Sequence, residues 1–359
     1  MTPRKVLKAC RIAIVIVSLV VPRVQVAAQT LNDFIAGAKK ESEITFVAGA
    51  TTFGSPKAFS ELQTVFNKKF GLNTRINLTA GPSMPAMAAR IITEAKAGGK
   101  SSTDVHLGPP ATHAELHNDR LLEPVNYSKI FPWVTKEMEI LPGETVLVYT
   151  SLQGILYNSN LLPKDKAPKR YEDLVDPRLS RTWAGKMAMP PYTSWLVELS
   201  LIWGEKKVIE YARKLIPLSA GQVRYGEIEE RVGSGEYLVM ANSGSAVEAM
   251  WEWQAKGAPL VGMTASDPVL TSYFQLGVPK NSAHPNLAKL FVAFMASREA
   301  QRIVERYEKR SSHLVEGTRM ANYIKENRLK LADPGDLIAS FHRGTGLEFR
   351  AELTKMLKQ

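Results

Sequence analysis

Five short segments of this chain have the residue types that hold anions: Ala50-Thr51-Thr52, Gly81-Pro82-Ser83, Gly108-Pro109-Pro110, Tyr192-Thr193-Ser194 and Asn242-Ser243-Gly244. All are small or hydroxylated, and each follows an apolar run and precedes a helical pattern. The first turn of a helix has N–H groups without intrahelical partners and the positive end of the peptide dipoles. Turns of this kind aimed at one cleft would offer backbone donors and hydroxyls to an anion. Singly, each is an ordinary helix cap; the set of five is what points to a site. Arg224-Tyr225, ahead of the helical stretch Glu227 to Val232, adds a guanidinium able to fork onto a carboxylate, sulfonate or phosphonate. Phe53, Tyr192 and Trp195 can serve as apolar walls or as core. The candidate ligand-binding set is therefore Thr51, Thr52, Phe53, Gly81, Ser83, Gly108, Tyr192, Thr193, Ser194, Arg224, Asn242 and Ser243.

Catalytic patterns are missing. The chain contains no Gly-x-Ser-x-Gly elbow, no His-Glu-x-x-His and no Gly-x-x-x-x-Gly-Lys loop. His113 and His117 are spaced i, i+4, which suits a metal on one helical face. Glu115 points elsewhere, and only Asp104 and His106 are near in sequence, so an exposed helix face is the plainer reading. The expectation is a binding protein, not an enzyme, without cofactor or resident metal. A hydrolase or metalloenzyme is the competing class.

The elements that must position these turns follow from periodicity. Strand, turn and helix alternate: strands at 44–48, 74–78 and 104–107, with helices at 31–41, from Ser55 to about Phe70, 84–97 and 111–117. Near residue 145 the texture changes to two extended runs, 145–149 and 154–157. The alternation then resumes with strands at 186–189 and 237–241 and helices at 195–203 and 246–255. Another extended run covers 269–278, and helices dominate from Pro285 onward. This order predicts an α/β fold with mostly parallel sheets, one lobe being interrupted by another.

Residues 1–28 read as a secretory signal. Arg4, Lys5, Lys8 and Arg11 precede the apolar run 12–21, and Val26-Ala27-Ala28 forms a small-residue cleavage site. The run is short for a membrane span of about 20 residues. Cys10 is the one cysteine of the chain, so the exported protein would have no disulfide, thiol nucleophile or thiolate metal site. Loss of Arg4, Lys5, Lys8, Arg11 and Arg23 would reduce the formal net charge from +11 to +6. That mild excess, without basic runs, suits an anionic small ligand and argues against nucleic acid.

In this order the blocks resemble the type II periplasmic solute-binding proteins, the receptors of ABC importers, in the ferric-ion-binding-like branch. The likeness runs through Thr103-Asp104-Val105, Asp119-Arg120-Leu121-Leu122-Glu123-Pro124, Gly154-Ile155-Leu156-Tyr157-Asn158, Tyr171-Glu172-Asp173-Leu174-Val175-Asp176-Pro177, Gly277-Val278-Pro279-Lys280 and the helix 288–297. It implies two Rossmann-like lobes joined by extended hinge segments near 147–156 and 270–278. Lobe 1 would comprise 29–149 plus 276–359, and lobe 2 would comprise 154–270. It further implies a monomer in the periplasm, a small-molecule ligand held by closure, and an ABC permease with a separate ATPase. Where the iron-binding relatives have a tyrosine pair, this chain has Val239 to Ser245 without tyrosine. Without that pair, the turns and Arg224 point to a small organic anion as ligand, with ferric iron as the alternative.

Overall fold

The computed structural model describes residues 29–49, 52–54, 56–333, 335–336, 339–340 and 344–358. The expected signal and cleavage site lie outside them, as does Thr51.

The strands are β1 (Glu43–Ala48), β2 (Arg75–Ala80), β3 (His106–Gly108), β4 (Thr145–Leu152), β5 (Gly154–Asn158), β6 (Met187–Met189), β7 (Ser219–Gln222), β8 (Val239–Ser243), β9 (Leu260–Thr264) and β10 (Thr271–Gly277). In the first half the helices are α1 (Leu31–Ala38), α2 (Pro56–Phe70), α3 (Met84–Lys96), α4 (Pro110–Asn118), α5 (Tyr127–Ile130), α6 (Pro177–Ser180) and α7 (Ser194–Trp203). There follow α8 (Glu205–Leu215), α9 (Ile228–Gly233), α10 (Ala246–Gln254), α11 (Pro285–Met295), α12 (Arg298–Glu308), α13 (Arg319–Glu326) and α14 (Thr345–Met356).

The two lobes repeat one topology. In the second lobe the strand order is β7-β6-β8-β5-β9, with β6 parallel to β7 and β8, and β5 antiparallel to β8 and β9. In the first lobe β1 pairs in parallel with β2, and β10 lies antiparallel between β3 and β4. The two pieces are stitched just before β3. Thr45 N–H donates to the Asp104 carboxylate at 2.8 Å, Asp104 N–H returns to Thr45 O at 2.8 Å, and Val47 N–H donates to Thr103 Oγ1 at 3.0 Å. The resulting order, β2-β1-β3-β10-β4, matches the second lobe position for position. This is the α/β fold of two Rossmann-like lobes expected from the sequence.

Each sheet is held by an apolar core. Phe34, Phe46, Phe59, Phe66, Phe291 and Phe294 are buried in the first, and Tyr171, Trp183, Trp195, Leu199 and Tyr211 in the second. Helix α2 shows how sequence places its face: Phe59, Leu62, Phe66 and Phe70 recur at helical spacing and are all buried.

The chain passes from one lobe to the other between β4 and β5 and returns between β9 and β10. Gly154 opens β5 because the backbone is crowded there. A Cβ on it would lie 1.9 Å from the Met263 carbonyl oxygen. A buried polar cluster ties the two crossings together. Gln153 donates to Glu198 Oε2 at 2.6 Å and to Thr271 O at 3.1 Å, and Thr271 N–H donates to Glu198 Oε1 at 3.0 Å.

Five elements escape the sequence patterning: the short helices α5 and α6, and α8, β7 and β9. One correction concerns the C-terminus. The expectation that 276–359 belongs wholly to the first lobe does not hold, because α14 packs on α7 and α8, with Phe349 and Leu353 inside the second lobe's core. Likewise α13 lays Tyr323 against Trp251 of α10, at a ring distance of 5.3 Å. An apolar stripe goes where an apolar face is unfilled, whatever its place in the chain.

Candidate functional site

In open α/β sheets the ligand crevice lies beyond the carboxyl ends of the strands. The described residues of the predicted turns lie at or past such ends, but they differ in what their side chains do. Ser83 is exposed at the start of α3, and its hydroxyl makes no capping bond. Gly81 beside it is exposed too. Arg224 is exposed at the head of the single turn Tyr225–Glu227 that follows β7. Ser194 is half-buried as the first residue of α7, and Tyr192 is half-buried against the second core.

The other described candidates are buried. Thr52 is buried. Phe53 is fully buried, its ring against Phe46, Phe59 and Tyr149. It adopts a left-handed backbone, φ 54°, an arrangement that bulky residues resist and that surrounding contacts must enforce. Gly108 is buried where a Cβ would meet Thr112 Oγ1 at 2.2 Å. Asn242 is buried and bonded, receiving the Tyr171 hydroxyl at 2.5 Å and donating to Gln153 Oε1 at 3.3 Å. Ser243 is buried and accepts from Ser245 N–H at 3.4 Å. Thr193 is buried beneath α14, with 3.2 Å between its hydroxyl and that of Thr354.

The histidine pair does not converge. His113 is fully buried with its ring 4.8 Å from that of His106, while His117 is exposed and bonds Glu144 at 2.7 Å. The exposed face expected for both therefore holds for His117 alone. Among the described residues no group of three His, Cys, Asp or Glu side chains is placed to hold a metal ion.

What the sequence reading missed is an ionic cluster where the lobes meet. Arg310, just past α12, bonds Glu308 at 3.3 Å and lies over the Tyr149 ring at 5.8 Å. Its charge also reaches Glu229 on α9 and Glu248 on α10, both in the second lobe. Burial raises the pKa of all three glutamates, and Arg310 offsets only part of that rise. Glu248 is pushed up to about 7. From the Phe53 turn a backbone N–H bonds Glu308, so the strained turn and the cluster form one wall. No local motif announces this cluster; Arg310 and Glu308 sit in an ordinary charged stretch of sequence.

Comparison with known proteins agrees with the geometry. The family described as bacterial extracellular solute-binding protein matches residues 61–307. No curated protein matches the chain in sequence. Among solved structures, iron-bound HitA from Pseudomonas aeruginosa superposes with a TM-score of 0.68 at 18% identity, covering 87% of this chain and 99% of that one. AfuA from Actinobacillus pleuropneumoniae, with fructose-6-phosphate bound, gives 0.66 at 19% identity, over 88% and 99%. AgtB from A. tumefaciens R10, in complex with agropinic acid, gives 0.64 at 16%, over 89% and 99%. These likenesses speak to the fold. The family match spans most of the chain, which belongs to the bacterial extracellular solute-binding proteins.

Proposed function

We propose that the protein captures a small organic acid, a carboxylate, sulfonate or phosphonate, in the cleft between its lobes and delivers it to a membrane permease driven by a separate ATPase. In this reading it is exported by a signal peptide cleaved after Ala28, acts as a monomer, catalyses nothing and binds no nucleic acid. The observation that supports it is Arg310, a guanidinium on the first lobe within electrostatic reach of the second. An acid group entering there would replace Glu308 as its partner and engage groups from both lobes. Such a ligand favours the closed form by its differential affinity. Ser83 at the uncapped start of α3 and the exposed Arg224 are further donors. The absence of tyrosine from 239–245 is the reason ferric iron is placed second.

One observation favours a second reading. Glu229, Glu248 and Glu308 outnumber Arg310, and a basic nitrogen on the solute would relieve their burial. A thermal-shift panel on protein stripped of ligand separates these readings by mass action. Citrate, fructose-6-phosphate, taurine, arginine, putrescine and ferric citrate serve as probes. Stabilisation by citrate, fructose-6-phosphate or taurine, lost in Arg310→Ala by about 1.5–3 kcal/mol of binding energy, is the expected outcome. Stabilisation by putrescine alone replaces the acid with an amine, and response to ferric citrate but not to citrate restores iron.

A further inference from the structure

The end of β8 and the first turn of α10 grip the first crossing at three successive residues. Leu152 N–H donates to Glu248 Oε2 at 3.3 Å, Gln153 Oε1 accepts from Asn242 Nδ2 at 3.3 Å, and Gly154 pairs with Ser243 in the β5–β8 ladder. That turn stands at the carboxyl end of its strand, where a crevice ligand lies. Gln153 also reaches the second crossing. Its backbone N–H donates to Leu270 O at 3.0 Å, and its side-chain amide to Thr271 O at 3.1 Å and to Glu198 Oε2 at 2.6 Å. Glu198 Oε1 takes the Thr271 N–H at 3.0 Å. At the other end of this line the Tyr171 hydroxyl donates to Asn242 Oδ1 at 2.5 Å. Tyr171, Asn242, Gln153, Glu198 and Thr271 are all buried.

The line has one direction. Thr271 O can only accept, so Gln153 must turn its NH2 toward Thr271 and Glu198 and its oxygen toward Asn242. Asn242 must then give its own NH2 to Gln153 and its oxygen to the Tyr171 hydroxyl. Neither amide can turn alone without setting like groups face to face in a dry site, where an unmade bond is costly. Donors aligned head to tail also polarise one another.

We propose that Asn242 and Gln153 are positioning residues that link the cleft to the angle between the lobes. A solute drawing on the β8–α10 turn shifts Asn242, Asn242 reorients Gln153, and Gln153 resets its bonds to Leu270 and Thr271 on the other crossing. By linkage, the setting of the crossings acts equally on affinity at the turn. This inference rests on the reading that a solute is held in the interlobe cleft, but not on which solute it is.

Ligand-free measurements on the full chain test it. The readout is exchange of the Thr271 amide hydrogen, which bonds Glu198 and not Tyr171 or Asn242. Gln153→Met removes the side-chain bonds at similar volume and should speed that exchange about tenfold; Asn242→Ala should speed it about threefold. The decisive comparison is the double variant. If Asn242 acts through Gln153, Q153M/N242A exchanges no faster at Thr271 than Q153M. The radius of gyration from X-ray scattering should follow the same pattern, larger in each single variant and no larger in the pair than in Q153M. Additive effects of the two substitutions would mean that each merely loosens its surroundings, and would overturn the coupling. Tyr171→Phe is the milder probe, since it removes one hydroxyl and keeps the ring against Trp195, 5.3 Å away. Thr271 exchange unchanged in Y171F and N242A would also overturn it. None of these readouts needs a solute, so the coupling can fail while the receptor reading stands, and the reverse.

Discussion

Glu198 and Gln153 are unremarkable polar residues in the sequence, yet together they tie both crossings of the chain. Burial pushes the Glu198 carboxyl up to about 7, against the pull of its bonds from Thr271 and Gln153. Removing it leaves the Thr271 N–H and one Gln153 amide proton without their acceptor in a dry site. Glu198→Ala is therefore expected to destabilise the protein by about 2–3 kcal/mol, measured by urea unfolding. Glu198→Gln should cost less, since its amide oxygen can still accept one of the two bonds. Equal losses in the two variants would show that packing, not hydrogen bonding, is what Glu198 supplies. At this scale the sequence was a partial guide. It put Ser83 and Arg224 in the candidate set, and both stand exposed at strand ends. It also put Asn242, Ser243 and Phe53 in the candidate set, whose side chains the structure buries, because a residue type does not reveal which way its side chain faces. Arg310 went unseen because, neighbouring Glu308 apart, the groups around it are more than fifty residues away in sequence.

Strands and helices were the most legible level. Local periodicity locates β1, β4, β5, β8, α2, α3, α10 and α11 within a few residues, since each has an apolar face at its own repeat. The misses are also local in origin. β7, Ser219–Gln222, is an edge strand whose burial merely alternates between intermediate and exposed, so it presents no apolar run. β9 contains Gly262, which weakens a strand signal but is needed because a Cβ there would lie 1.8 Å from Ala246 O. Gly154 obeys the same constraint at the crossing. Gly154→Ala should force the β5 and β9 backbones apart and lower stability by about 1–3 kcal/mol, measured by thermal unfolding. A neutral result would mean that the crossing yields without loss, as a freely deformable hinge would.

The whole molecule carries an opposed set of buried titrating groups, with a consequence for pH. Burial pushes Glu198 and Glu248 up to about 7 from an ordinary 4.5. The folded state therefore keeps protons that the unfolded state gives up, and this contribution to stability is lost as pH rises from 4.5 through 7. Burial pushes His113 and His313 down to about 4 from 6.5, so the unfolded state takes up protons first, and stability is lost as pH falls from 6.5 through 4. Between about 4.5 and 6.5 the two trends oppose each other. Stability measured by urea unfolding should be nearly flat across that window and fall on both sides. A steady rise from pH 5 to pH 8 would show that the glutamates are ionised in the folded protein.

The sequence by itself determined the alternation of elements, the two extended passages between lobes and the family, because these rest on local periodicity and on blocks contiguous in the chain. Tertiary structure alone decided that Arg310 lies within electrostatic reach of glutamates of the opposite lobe, that Glu198 joins the two crossings, and that α14 covers Thr193. Those contacts depend on how sheets and helices far apart in sequence are brought together when their apolar faces are buried. No local pattern records that.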